Sequence, residues 1–402
     1  MEYDFTSLMD RRGKDALALD GLGRQAGAPL VPREGFDAIP MWVADMNFPL
    51  LPTIQEAVIR RMREPHLGYF LPSEDYYSSI IRWHEARNGA EGLTRECIGY
   101  ENGVLGGVLS ALNVLCSKGE RVLVHSPTYI GFTKALSNNG YRMVHSPLEK
   151  DEAGVWRMNY AHMEKMIVEH KIHAAILCSP HNPCGRVWER RELERAMELF
   201  EKHNVYVVSD EIWSDIILSG HRHIPTQSVS PAARRRTVAL YAPSKTFNLA
   251  GLVGAYHIIY DPWLRERVER EASLSHYNEM NVLSMHALIG AYRPEGHVWA
   301  DELCRTITEN VEFACGCIGE RFKGVEVSRP QGTYMLFADC TEWCEEHNKT
   351  IDQVEQAAWG VGVAVQDGRM FHGPCHLRLN LALPMSRVRE AFDRLERYVF
   401  RK

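Results

Sequence analysis

The sequence predicts an α/β protein: a large unit on a mostly parallel, doubly wound sheet, and a smaller α+β unit. Three observations predict this. Short apolar runs in the middle of the chain are continuous and β-branched, as strands covered on both faces are, rather than alternating. Stretches with apolar residues three and four apart separate them, the pattern of helices crossing between parallel strands. After residue 321 that alternation stops, and strand-like runs flank helices instead.

The strand-like runs are RVLVHSP (121–127), HAAILCSP (173–180), VYVVSDE (205–211), TVALYAPSK (237–245) and AYHIIY (255–260). WERRELERAMELFEKHN (188–204) reads as one of the helices between them, and 296–321 as a long helix. VEVSRPQGTYMLFAD (325–339) and HLRLNLAL (376–383) read as strands of the smaller unit. The expected division is 48–292 for the large unit, with 1–47 and 293–402 forming the small one.

Bulk properties exclude several classes. The 402 residues are 45% hydrophobic and 24% charged, ordinary for a globular protein. A net charge of −6 offers no general attraction to nucleic acid or to an anionic membrane. The polar start MEYDFTSLMDRRGKD is unlike a signal peptide, and no apolar run reaches the ~18 residues of a membrane span. A cytoplasmic protein is expected. Ten scattered cysteines match neither a secreted disulfide scaffold nor a zinc-type spacing, so no metal is expected.

Ligands of doubly wound sheets sit beyond the carboxyl ends of the strands. There the sequence places Ser126-Pro127-Thr128-Tyr129, Ser179-Pro180-His181-Asn182-Pro183, Asp210-Glu211-Ile212-Trp213 and Ser244-Lys245. An aromatic ring, an amide, a carboxylate and a lysine converge on one edge. ENGVLGGVLSALNVL (101–115) opens a helix with glycines, and the unpaired N–H groups at a helix start form a phosphate seat. These parts suit pyridoxal phosphate. The lysine bonds its aldehyde. The carboxylate keeps its ring nitrogen protonated, so the ring draws electrons from a carbanion. The aromatic ring stacks on it, and the amide bonds its ring oxygen.

The spaced set HNPCG (181–185), SDEIW (209–213), SKTFN (244–248) and RLNLA (378–382) resembles the fold type I, class I/II aminotransferase superfamily, over nearly the whole chain. Four further stretches resemble its cystathionine β-lyase, or C–S lyase, branch: MDRRGKDALALDG (9–21), IPMWVADMNFP (39–49), GYFLPSEDYYSSIIRW (68–83) and VAVQDGRMF (363–371). The resemblance implies a pyridoxal-phosphate-dependent lyase that converts cystathionine or cysteine S-conjugates to pyruvate, ammonia and a thiol by α,β-elimination. It implies that Lys245 carries the cofactor and then shuttles the proton, with Ser244 beside it in the cofactor site. Asp210 pairs with the pyridinium nitrogen. Asn182 bonds the ring oxygen and borders the substrate. Tyr129 stacks on the ring, and Val104 and Leu105 offer backbone N–H groups to the phosphate. Tyr69 reaches the phosphate of a neighbouring subunit, which makes a homodimer with shared sites. Arg378 clamps the substrate α-carboxylate, its planar fork matching the two oxygens. Trp42 either borders the substrate or packs.

The chain departs from the superfamily pattern in three places. The phosphate-binding arginine expected eight residues after the lysine is Val253, the serine expected three before it is Ala242, and the residue three after Asp210 is Trp213 rather than tyrosine or histidine. A tryptophan has one N–H donor, so the ring oxygen loses a partner. Glu211 reads as structural, and so do His181, His372 and His376, as satisfied histidines. The alternative activity is transamination between an amino acid and a keto acid, which shares the first steps. A transcription regulator carrying such a domain would need an extra basic DNA-binding module; with ~45 residues ahead of the fold and a net charge of −6, that reading is not the expected one.

Overall fold

The computed structural model describes residues 2–274 and 278–401. Numbered along the chain, eight strands form the large sheet in the order β2 (Ile98–Glu101), β9 (Ala255–Ile258), β8 (Thr237–Tyr241), β7 (Tyr206–Asp210), β6 (Ala174–Cys178), β3 (Arg121–Ser126), β4 (Arg142–Lys150) and β5 (Trp156–Met158). The run from β8 to β4 is parallel, and the outer pairs are antiparallel. All five runs expected as strands form strands, and every residue of β6 and β8 is buried. β2, β4 and β5 escaped the sequence reading. β4 buries Val144, Ser146 and Leu148 in alternation, with His145 and the exposed Pro147 between them. That is not the continuous apolar signature of its neighbours.

The smaller sheet is antiparallel, in the order β10 (Glu326–Val327), β11 (Met335–Asp339), β14 (His376–Asn380), β13 (Gln366–Asp367). A short parallel pair joins β1 (Ile39–Pro40) to β12 (Val363–Ala364). The helix expected over 188–204 runs Arg190–Lys202, opened by a capping box between Glu189 and Glu192. Trp188 stays outside it and donates its indole N–H to the Cys178 carbonyl at 2.9 Å. The long helix begins two residues earlier than expected, at Pro294, because proline suits a first helical turn.

Segment 41–47 stitches the two sheets together. Asn380 on β14 donates its backbone N–H to the Met41 carbonyl (2.7 Å) and its side-chain amide to the carbonyls of Val43 (2.8 Å) and Asp45 (2.6 Å). From the large-sheet side, the Asn248 amide accepts from Met46 N–H (3.1 Å) and donates to the Met46 carbonyl (3.0 Å). Arg11 pairs with Asp45 at 2.6 Å and also donates to the Met46 carbonyl. An Asn380→Leu change keeps the volume and strands these carbonyls. With an unmade buried hydrogen bond costing about 1–3 kcal/mol, the variant is expected to unfold at lower temperature and lower urea. Unfolding curves superimposable on wild type would mean that the segment is held elsewhere.

Candidate active site

A cleft of about 920 Å³ opens beyond the carboxyl ends of β6, β7 and β8, walled on its other side by segment 42–45 and β14. Lys245 sits four residues past β8. Its neighbour Thr246 donates to Asp215 at 3.0 Å, and that carboxylate also takes the Trp83 indole (3.1 Å) and the Arg87 guanidinium (3.1 Å). The lysine's backbone is thereby pinned. Its Nζ donates to the Ala44 carbonyl at 3.2 Å and lies 5.7 Å from the centre of the Trp213 ring. Burial and the nearby Arg378 charge push its pKa down to about 8, against the fields of Asp45 and Asp210.

Asp210 ends β7, buried. Among the described residues, the one hydrogen bond its carboxylate takes comes from Ile212 N–H at 3.1 Å. Burial pushes its pKa up to about 7, opposed by that bond and by the charge of Lys245. Glu211, next in the chain, has four donors: His223 (2.7 Å), Tyr241 (2.7 Å), Ser209 (2.9 Å) and the Thr226 N–H (3.0 Å). Burial alone would raise its pKa, but these donors, His223 foremost, hold it below the ordinary value. Its structural assignment stands.

Arg378, in the middle of β14, is buried. Its Nη1 donates to the Asn182 side-chain oxygen at 3.3 Å, and its Nη2 to the Trp42 carbonyl at 3.1 Å and to Gln366. The guanidinium stacks 4.2 Å over Phe371, and Nε has no partner. Among the described residues no carboxylate pairs with it, and burial pushes its pKa down to about 10. Tyr129 presents its half-buried ring to the cleft. Gly131 makes that possible, since a Cβ there would lie 2.2 Å from the ring. At the far end Gly103, with φ 78°, starts the helix Val104–Leu115, so that the N–H groups of Val104 and Leu105 head the helix beside Ser244.

The structure thus brings Lys245, Ser244, Asp210, Asn182, Tyr129, Val104, Leu105, Arg378 and Trp42 to one cleft. Tyr69 is not among them. It stands fully exposed in the loop before the helix Glu74–Asn88. Trp42 lines the cleft while its indole is spent on the Ala18 carbonyl (3.0 Å), so it meets Arg378 through its main chain. The reading of the histidines as satisfied needs a partial correction. His372 faces Thr133 at 3.4 Å and His376 sets its Nε2 3.6 Å from Asp339, but His181 and His376 each bury an Nδ1 with no hydrogen-bond partner among the described residues. Gln366, Asn248 and Asn380 lie inside the quoted motifs, yet their roles there were missed.

An α/β fold with a lysine, a carboxylate and a helix start at one sheet edge defines a phosphopyridoxyl-type enzyme site. The chain belongs to the aminotransferase class I and II family, whose profile matches residues 45–395. It is 30% identical to the cystathionine β-lyase PatB of Bacillus subtilis (strain 168), over 98% of this chain and 99% of that one. Among solved structures it resembles the pyridoxal-phosphate-bound C–S lyase of Staphylococcus hominis (TM-score 0.89, 25% identity, 100% of this chain and 99% of that one). It also resembles cystalysin of Treponema denticola, which contains pyridoxal 5'-phosphate (TM-score 0.89, 26% identity, 99% and 98%).

The residues present fit that cofactor. Asp210 is a buried carboxylate short of donors, which a pyridinium N–H would supply, and Gly131 keeps the Tyr129 face clear. A carboxylate whose pKa is raised on folding binds its proton more tightly in the folded state. Its stabilising contribution is therefore present below the unfolded value and lost as pH rises through about 7. In the cofactor-free protein, Asp210→Asn should match wild type near pH 4. It should gain stability over it up to pH 8, by about 4 kcal/mol at most. A constant offset between the two melting curves would mean that Asp210 ionises freely.

Proposed function

We propose that this chain is a pyridoxal-phosphate-dependent carbon–sulfur β-lyase. Its reaction is the conversion of cystathionine or cysteine S-conjugates to pyruvate, ammonia and a thiol. The observation that carries this is the meeting of Lys245, Asp210 and Arg378 in one cleft, in a chain alike from end to end to a cystathionine β-lyase.

Bound there, the cofactor supplies an electron sink for the pair left when the substrate's Cα–H bond breaks. The rest falls to the protein. The N–H groups of Val104 and Leu105, with Ser244, would hold the phosphate at a helix start. Tyr129 would stack on the ring, Asn182 would bond its oxygen, and the Asp210 carboxylate would pair with its nitrogen. Arg378, with its Nε free and no acidic partner, grips the substrate α-carboxylate and sets Cα within reach of Lys245. A lysine pushed down to about 8 holds some neutral amine near pH 7, where it can accept the Cα proton. Elimination then needs only a leaving sulfur on Cβ; transamination shares the early steps and lacks that requirement. The two-unit division at 48–292 belongs to the same reading. The eight-stranded sheet lies wholly inside those limits and the other two sheets outside them.

With cystathionine and no added keto acid, pyruvate and thiol should appear in equal amounts. Arg378→Lys keeps a charge and loses the fork. A hydrogen bond to a charged group is worth about 1.5–3 kcal/mol, so kcat/KM should fall about ten- to a hundredfold. Amino transfer that requires a keto acid, without pyruvate release, would reverse the assignment in favour of an aminotransferase.

The proposal extends to a cytoplasmic homodimer with shared sites. No described helix is long and apolar enough to cross a membrane. Tyr69 is flanked by Leu67 and Leu71, both exposed, and an apolar loop of this kind supports an interface. Each of the variants Tyr69→Phe and Lys245→Ala carries damage at both sites of its own homodimer. In the mixed dimer one site has both defects and the other has neither, so activity should return on mixing. Verified heterodimers that recover nothing, beside a clearly impaired Tyr69→Phe enzyme, would place Tyr69 within its own chain.

A further inference from the structure

A second cavity, of about 620 Å³, lies away from the catalytic cleft. It sits between the end of the helix Glu74–Asn88, the stretch 222–234 and Tyr260 beyond β9. Three arginines, Arg190, Arg222 and Arg234, stand on its wall in a chain whose net charge is −6. Their charges are poorly neutralised. Among the described residues Arg190 pairs with Glu194 alone, at 3.9 Å. Arg234 donates to a main-chain oxygen, the Glu91 carbonyl, at 2.8 Å and stacks 3.7 Å over Tyr260. Among the described residues no carboxylate lies within ion-pair reach of Arg222 or closes on Arg234. Glu91 is the one carboxylate residue on the wall.

Arg222 and Arg234 approach the same turn. The Nη2 of Arg222 lies 3.7 Å from where a Cβ on Gly89 would be, and that of Arg234 lies 3.1 Å from the same point on Gly92. Between these arginines in the chain, Gln227 is 5% exposed, and its side-chain oxygen is buried without a partner. That oxygen is an acceptor, so it calls for a donor such as a water and makes no bond to an oxyanion. The cavity falls within the range that small-molecule sites occupy, about 300–1,000 Å³. It also backs onto the catalytic side: His223 and Tyr241, both on its wall, hold the Glu211 carboxylate beside Asp210.

We propose that this cavity is a second binding site. It takes a small oxyanion, the carboxylate or phosphate of a compact metabolite, at the guanidinium forks of Arg222 and Arg234. Planar guanidinium groups without acidic partners suit such a group because each can bond two of its oxygens.

The test is calorimetric titration of the cofactor-loaded enzyme with citrate and, separately, with inorganic phosphate. Loading fills the cofactor's own phosphate seat. Saturable binding of at least one probe is expected, one per chain, with a Kd of about 1 mM or tighter. Binding of citrate alone marks a carboxylate ligand, and binding of phosphate a phosphorylated one. Arg222→Ala should weaken it about ten- to a hundredfold and Arg234→Ala similarly, as expected for hydrogen bonds to a charged group. Arg378→Lys should leave it unchanged, which separates this site from the substrate cleft. Arg222 is exposed, so its variant folds and carries the test even if Arg234→Ala does not. Three results would overturn the proposal: no saturable heat with either probe, equal affinity in Arg222→Ala, or affinity lost in Arg378→Lys.

Discussion

The hydrogen bonds that Lys245 and Arg378 make to the carbonyls of Ala44 and Trp42 fix the geometry on which the cleft depends. One cation comes from the end of the large sheet and the other from the small sheet, and a single strip of main chain takes both. A carbonyl suits this task because it orients a cation without neutralising it. A carboxylate in its place would hold the lysine protonated and occupy the arginine. The one carboxylate in the strip, Asp45, is instead taken by Arg11 at 2.6 Å. Burial pushes the pKa values of these two cations down to about 8 and about 10, and among the described residues neither carries a carboxylate hydrogen-bonded to it that would reverse the shift. Asn248 and Asn380 hold the strip from either side with neutral amides, which is consistent with keeping further charge away.

The adjacent carboxylates Asp210 and Glu211 show how local wiring divides chemistry. Successive residues of an extended chain point to opposite faces, so the two side chains face different surroundings. Glu211 receives four donors and stays ionised behind the sheet. Asp210 receives one and is pushed up to about 7. On the proposed reading, a carboxylate left wanting a cation is what a ring nitrogen needs opposite it, and Glu211 supplies a rigid base for β7 beneath it. The lowered pKa of Glu211 adds stability at neutral pH, whereas the raised pKa of Asp210 costs it in the empty protein, and a ring nitrogen bound opposite would offset that cost.

How much was legible follows from the range of each interaction. β3, β6, β7, β8 and β9 were readable because strands buried on both faces leave unbroken apolar runs. β4 was not, because its polar and exposed positions break the run. The strand-end rule found Tyr129, Asn182, Asp210 and Lys245, and the motif found Arg378. What escaped were pairings across hundreds of residues: Asn248 to Met46, Asn380 to Val43, Gln366 to Arg378. Each sits inside a motif that was quoted, but nothing local in the sequence says which main-chain groups its amide will meet. Trp42 illustrates the same limit. Its ring drew notice, whereas its carbonyl makes the contact with Arg378.

Val253 stands where the superfamily pattern has an arginine, and its backbone explains part of the difference. It adopts φ 48°, uncommon for a β-branched residue, just ahead of Gly254 at φ 124° on the cleft wall. Such a conformation costs about 1–3 kcal/mol and persists only where the surroundings impose it. The side chain is half exposed and brings no charge. On the proposed reading, the phosphate would rest on backbone N–H groups, a helix end worth roughly half a unit charge, and the hydroxyl of Ser244. A phosphate carries close to two negative charges, so those partners alone leave it under-balanced. A hydroxyl from outside the chain would close part of that gap. On the proposed reading Tyr69, exposed beside two exposed leucines and absent from the lining of its own cleft, would supply it to the partner's. On this reading the loss of one arginine ties cofactor retention to assembly: a separated subunit would hold its cofactor less well than the dimer, although every residue of its own cleft is in place.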